Sequence, residues 1–188
     1  MKKSALAISV LSLALLSGAA SATVNDSNLD ANNVRFLGTV SQITCNLVPY
    51  VNGSATNVVN VGVVSVGTAG AYTQGTKIPF TLKPDNKNTN ADAGCPAITD
   101  TTKANISFMG ALDAKGLNNQ SGTAKDSYVS IVSTNADNNT DAVVQGKNVR
   151  VVDGSVLKDA GAMFTAQLFG GQTAGSYESA IAYQVQYQ

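Results

Sequence analysis

The sequence predicts an all-β domain, a sandwich of short antiparallel strands joined by turns and polar loops. Three observations carry that reading. Short runs of alternating apolar and polar residues recur, as at Ile78, Phe80 and Leu82 or at Ile106 and Phe108, and a period of two sends one set of side chains to a single sheet face. Stretches rich in Gly, Asn, Asp and Thr separate these runs, and such residues favour turns. No helix-period pattern follows residue 22. About seven or eight such strands without intervening helices point to a β-sandwich with Greek-key connections.

The first 22 residues are set apart. Lys2 and Lys3 form a charged start, residues 5–16 an apolar run, and Ala20-Ser21-Ala22 a small-x-small cleavage pattern. Together they predict a secretory signal peptide, its apolar run too short for a membrane span. Without Lys2 and Lys3, the twelve basic residues become ten against twelve acidic ones. That balance, about −2, gives no basic patch for nucleic acid or an anionic membrane. Cys45 and Cys95 both follow the signal peptide. Two cysteines in an oxidising compartment predict one disulfide, which closes a loop of about fifty residues and stabilises by roughly 4 kcal/mol in the chain-entropy picture.

The elements follow in order. Residues 23–33, TVNDSNLDANN, read as a flexible polar leader. Residues 34–41 alternate, with Val34, Phe36, Gly38 and Val40 on one face; a glycine inside a strand marks a bulge or a close backbone approach. Residues 45–48 begin the domain proper, so residues 23–44 form an N-terminal extension and 45–188 one domain. Residues 57–67 are valine-rich, with Val59, Val61 and Val63 expected on one side and a bend at Gly62. Residues 68–75 read as a loop and 77–83 as a strand ending at Pro84. Residues 85–94 form a polar loop. Strands are expected at 104–109, 128–132 and 163–169, a polar loop at 135–141, and a hairpin over 143–152 turning at Gly146-Lys147-Asn148. The last fourteen residues, from Gly175, alternate through Tyr177, Ser179, Ile181, Tyr183, Val185 and Tyr187. Tyr, Ile and Val suit a half-buried pleated surface. Residues 177–187 are therefore read as a closing strand.

Enzymatic chemistry has little to stand on. The chain contains no histidine, so neither a Ser–His–Asp nor a Cys–His arrangement can be assembled. Zinc would have to use carboxylates and two cysteines expected to be bridged. No glycine-rich turn joins a strand to a helix as in a phosphate cradle. Asp113, Asp126, Asp137, Asp141, Asp153, Asp159 and Glu178 lie scattered on polar stretches and read as solvated surface rather than a glycosidase pair. Residues 137–141, DNNTD, lack the glycine and terminal glutamate of a calcium loop. No metal, cofactor or enzymatic activity is expected.

The two ends carry a resemblance. Phe36-x-Gly38-x-Val40 with Cys45 five residues later resembles the start of mature pilins of the chaperone–usher class, whose type 1 and P pilus subunits are well-known members. Gly175, fourteenth from the end, and the penultimate Tyr187, with alternating apolar residues between, resemble the pilin motif read by the periplasmic chaperone. The single cysteine pair fits the same pattern, and Asn60-Val61-Gly62 matches it loosely.

That resemblance implies an immunoglobulin-like sandwich that is incomplete, lacking its last strand. Strand addition to such an open edge is the established mode of pilin assembly. On this sequence the donor strand would comprise Val34, Phe36, Gly38, Val40 and Gln42. Gly175, Tyr177, Ile181, Tyr183, Val185 and Tyr187 would form the groove wall and the surface that a chaperone binds. Gln42 departs from the pattern, being polar where an apolar donor residue is expected. The implied partners are further copies or sibling pilins, a periplasmic chaperone and an outer-membrane usher, with a host glycan as receptor. The implied destination is a fimbria on the cell surface, reached through the periplasm. The main expectation is a structural shaft subunit; the alternative is a minor or tip subunit that itself binds carbohydrate.

Overall fold

The computed structural model describes residues 45–84, 95–137 and 140–188. Nine strands stand among them: β1 Leu47–Val51, β2 Ser54–Ala55, β3 Thr73–Pro84, β4 Lys103–Gly110, β5 Leu117–Asn118, β6 Tyr128–Ser133, β7 Val149–Asp153, β8 Ala162–Gly170 and β9 Ile181–Tyr187. They form a six-stranded sheet, β2-β1-β3-β8-β6-β5, and a three-stranded sheet, β7-β4-β9. Every pairing is antiparallel. The all-β expectation holds.

Alternation decides which faces meet. In β4, Ala104, Ile106 and Phe108 are buried while Asn105 and Ser107 are not; in β8, Phe164, Ala166 and Leu168 face inward. Phe108 of the smaller sheet meets Phe164 of the larger one edge to face, ring centroids 5.3 Å apart. Phe164 in turn stacks on Phe80 of β3 at 5.3 Å. This aromatic column ties the sheets together, and each fully buried large side chain contributes about 1.5–3 kcal/mol. Cys45 and Cys95 are disulfide-bonded, with Cα atoms 4.4 Å apart. The bond fastens the start of β1 to the short 3₁₀ turn Cys95–Ala97.

Several local expectations are corrected. A helix, α1 Gly154–Asp159, follows β7 and buries Leu157 completely; six residues are too few to show a 3.6-residue period. β3 begins at Thr73, inside the expected loop, because a register shift between Gln74 and Lys77 accommodates Gly75 and Thr76. The expected closing strand is regular only from Ile181. Residues 143–152 are not a two-stranded hairpin. The turn does occur, with Val144 bridged to Lys147, but its arms join different sheets. Val143 donates to Ile131 of β6, whereas β7 pairs with β4.

Residues 57–67 join no regular strand among the described residues. Val59, Val61 and Val64 pack against the core, while Val63 is 97% exposed. Gly62, at φ +76°, causes this. A left-handed residue shifts the alternation by one, so Val64 replaces Val63 on the inner side. Only glycine takes that conformation without steric cost. The expected bend is present, and it moves the wrong valine outward.

Arg150 of β7 is fully buried. Its Nη1 donates to the carbonyls of Lys147 and Val149, at 3.2 and 2.8 Å, and Nη2 donates to the Asp141 carbonyl at 2.8 Å. Burial pushes its pKa down, offset in part by the nearby Asp141 carboxylate. A buried cation needs such partners; backbone carbonyls on both sides of the turn supply them to Nη1 and Nη2, while Nε has none among the described residues.

Candidate functional site

An opening into the core lies between β9 and residues 57–66. A cavity of about 810 Å³ runs between them. Its floor combines inward side chains of the larger sheet, Leu82, Ile131 and Leu168 among them, with Phe108 of β4. Those floor residues are almost closed to bulk water, Leu82 and Phe108 at 1% exposure. The space is therefore a narrow slot above a packed core rather than an open trench. At its mouth Val58, Val63 and Val66 are 72%, 97% and 51% exposed.

The backbone of β9 faces the same slot. Lys103 and Gln188 exchange both backbone hydrogen bonds, at 2.8 and 2.9 Å. Bonded pairs alternate along an antiparallel ladder, so Asn105–Gln186 and Ser107–Gln184 are the next bonded pairs. The peptide groups of Ile181, Tyr183, Val185 and Tyr187 consequently point away from β4. Among the described residues no strand lies on that edge. Exposed strand edges invite pairing with another chain.

Three tyrosine hydroxyls position the wall. Tyr183 donates to the Leu47 carbonyl at 2.7 Å and Tyr187 to the Cys45 carbonyl at 2.8 Å. Both bonds cross from the smaller sheet to the β1 end of the larger one. Tyr177 donates to Leu117 at 2.9 Å. Burial pushes the Tyr177 hydroxyl up to about 12 and raises those of Tyr183 and Tyr187 as well. All three hydroxyls thus stay protonated donors across ordinary pH.

The stretch ahead of β9 is strapped down by Asn119. Its Nδ2 donates to Ala124 and Ser176 carbonyls at 2.8 and 3.0 Å, and its Oδ1 accepts from the amides of Gly122 and Glu178 at 2.8 and 3.1 Å. Thr123 Oγ1 accepts from the Ser176 amide at 2.9 Å. A Cβ on Gly175 would run into Thr123 and the Ala124 amide, so glycine stands there because the two segments approach closely.

Of the residues singled out in the sequence, Gly175, Tyr177, Ile181 and Tyr183 line the cavity. Val185 and Tyr187 pack against the core, Tyr187 at the Cys45 end. Val34, Phe36, Gly38, Val40 and Gln42 lie outside the described residues. The opposite wall, residues 57–66, carries no such assignment in the sequence reading; its signal is the density of valines around a glycine. The Asn119 strap has no sequence signal, because the two partners it ties to the stretch ahead of β9 sit 57 and 59 positions away.

No protein-family model matches the chain. It is 35% identical over 181 residues to the F107 fimbrial protein of Escherichia coli, covering 96% of each chain. It is 30% identical over 141 residues to the K99 fimbrial protein of Escherichia coli, covering 73% of this chain and 67% of that one. Among solved structures, it is similar to the P pilus rod subunit PapA, with 17% identity, a TM-score of 0.42 and coverage of 83% and 100%. A chain of a chaperone–usher pilus gives 17% identity, a TM-score of 0.41 and coverage of 88% and 99%.

Proposed function

The chain belongs to the fimbrial proteins, and on that premise we propose that it is a structural, non-enzymatic shaft subunit of the chaperone–usher class that polymerises head to tail. It assembles with other pilin subunits in a surface fimbria. Each copy inserts residues 34–42 into the slot of its neighbour, after a periplasmic chaperone has occupied that slot during export and an outer-membrane usher has received the complex.

The observation that carries this reading is the slot itself. A β9 edge with no strand beside it among the described residues borders a cavity above the core, walled on the other side by the inward Val59, Val61 and Val64. One added strand answers both deficits, with ladder bonds for the peptide groups and side chains for the cavity. Phe36 and Val40 fill it, with Val34 beside them and Gly38 where the floor is shallow. Three buried side chains contribute about 5–9 kcal/mol at the usual 1.5–3 each, and each ladder bond roughly 0.5–1.5 more. Removing such a strand requires partial unfolding of the recipient, which makes the joint kinetically durable. A slot on one face and a strand elsewhere give a contact that does not close, and repetition yields a filament.

Gly38→Leu tests it. The variant folds and forms its Cys45–Cys95 bond, yet electron micrographs of cells expressing it show no filaments. Filaments of ordinary length would overturn the donor role.

A further inference from the structure

A second cleft, of about 840 Å³, lies at the Cys45 end of the domain, where Lys83 and Pro84 pair with Val48 and Leu47 and where Cys95 is fastened. Tyr50, Asn52, Phe80, Lys83, Lys158 and Asp159 are among its walls. Among the described residues its lining carries two exposed lysines and one acidic side chain. Phe80 lines both this cleft and the slot beside β9, so the two spaces meet at one side chain.

We propose that this cleft receives residues 23–33 of the neighbouring copy, the polar leader that precedes its donor stretch. The proposal rests on the donor-strand reading and names what lies beyond it. Direction supplies the first argument. Every strand pair in the structure is antiparallel, and antiparallel pairing is the commoner kind. A strand laid antiparallel along β9 has its N-terminal end beside Tyr187, which is bonded to Cys45. Residues upstream of Val34 therefore leave the slot at the end that holds the cleft. Length supplies the second: residues 23–33, fully extended, span at most about 40 Å, enough to cross a cleft of this size. Charge supplies the third. The leader carries Asp26 and Asp30 and neither lysine nor arginine, opposite in sign to Lys83 and Lys158. Leu29, between the two aspartates, gives Tyr50 and Phe80 an apolar partner. Exposed ion pairs contribute little singly; tethering by the docked strand raises the leader's effective concentration and makes weak contacts count.

Carbodiimide cross-linking of filaments assembled from isotopically light and heavy full-length subunits tests this, with mass spectrometry reading the joined peptides. Mixed-isotope links from Asp26 or Asp30 to Lys83 or Lys158 are expected. In parallel, Phe36 replaced by p-benzoylphenylalanine photo-cross-links to slot residues of another copy. If Phe36 reaches the slot while the aspartates link only elsewhere or within their own copy, leader docking is overturned and the donor reading stands. If Phe36 reaches no neighbour, both are overturned. A charge swap gives an independent readout. Asp26→Lys with Asp30→Lys accelerates filament dissociation in urea several-fold, and adding Lys83→Asp with Lys158→Asp restores the original rate. Failure of the second pair to restore it counts against the cleft.

Discussion

The Tyr187 hydroxyl donates to the Cys45 carbonyl at 2.8 Å, joining the penultimate residue of the chain to the first half of its disulfide. The C-terminal edge strand and the covalent staple are thus one mechanical unit. A half-buried, hydrogen-bonded side chain holds the end of the strand, where termini otherwise fray.

Tyr187→Phe keeps the ring and removes only that bond. The Cys45 carbonyl then lacks its partner, and stability falls by about 0.5–1.5 kcal/mol. Urea denaturation of the purified subunit reads this directly, and an unchanged midpoint would show the bond to be incidental.

Reduction of the Cys45–Cys95 bond acts at the same place and more strongly. Removing a native disulfide from a small exported domain costs about 2–5 kcal/mol. Denaturation with and without dithiothreitol should show that loss, together with faster proteolysis near residue 188 once the partner of Tyr187 is released.

Asn119→Ala removes four hydrogen bonds, two within its own turn, to Gly122 and Ala124, and two to Ser176 and Glu178 in the stretch leading into β9. At about 0.5–1.5 kcal/mol each, with partial replacement by water, the cost is roughly 2–4 kcal/mol. Hydrogen exchange should quicken first at Gly122 and Glu178, whose amides donate to Asn119 Oδ1; faster exchange spread evenly over the domain would contradict a local strap.

Alkaline pH is a further lever. Burial raises the Tyr177 hydroxyl from 10.0 to about 12. Its contribution to stability is therefore complete below pH 10, where the hydroxyl is protonated in both folded and unfolded chains. It is lost as pH rises from 10 towards 12, because the unfolded chain ionises first. Thermal unfolding followed from pH 8 to 11.5 should show a falling Tm above pH 10, and Tyr177→Phe should flatten that fall.

Legibility followed interaction range. The strands around Phe80, Ile106, Ile131 and Phe164 show themselves through local alternation, as does the C-terminal strand. α1 did not, because it is shorter than two turns and is held by the burial of Leu157 rather than by helix propensity. Arg150 sits at an inward position of an alternating strand, and nothing adjacent in sequence announces the carbonyls of Lys147, Val149 and Asp141 that make its burial tolerable. Val63 and Val64 exchanged faces through one dihedral angle at Gly62, which composition cannot report.

By itself, the sequence determined the all-β class, the disulfide partners and the alternating C-terminal strand, since each depends on residue type and spacing along a short stretch or on a count of two cysteines. Tertiary structure alone decided that β9 lies at a sheet edge, that its peptide groups and the inward Val59, Val61 and Val64 border one cavity, and that three tyrosine hydroxyls and Asn119 hold the wall in place. Those relationships join residues far apart in the chain, and the hydrogen bonds and contacts that create them exist only once the two sheets have packed.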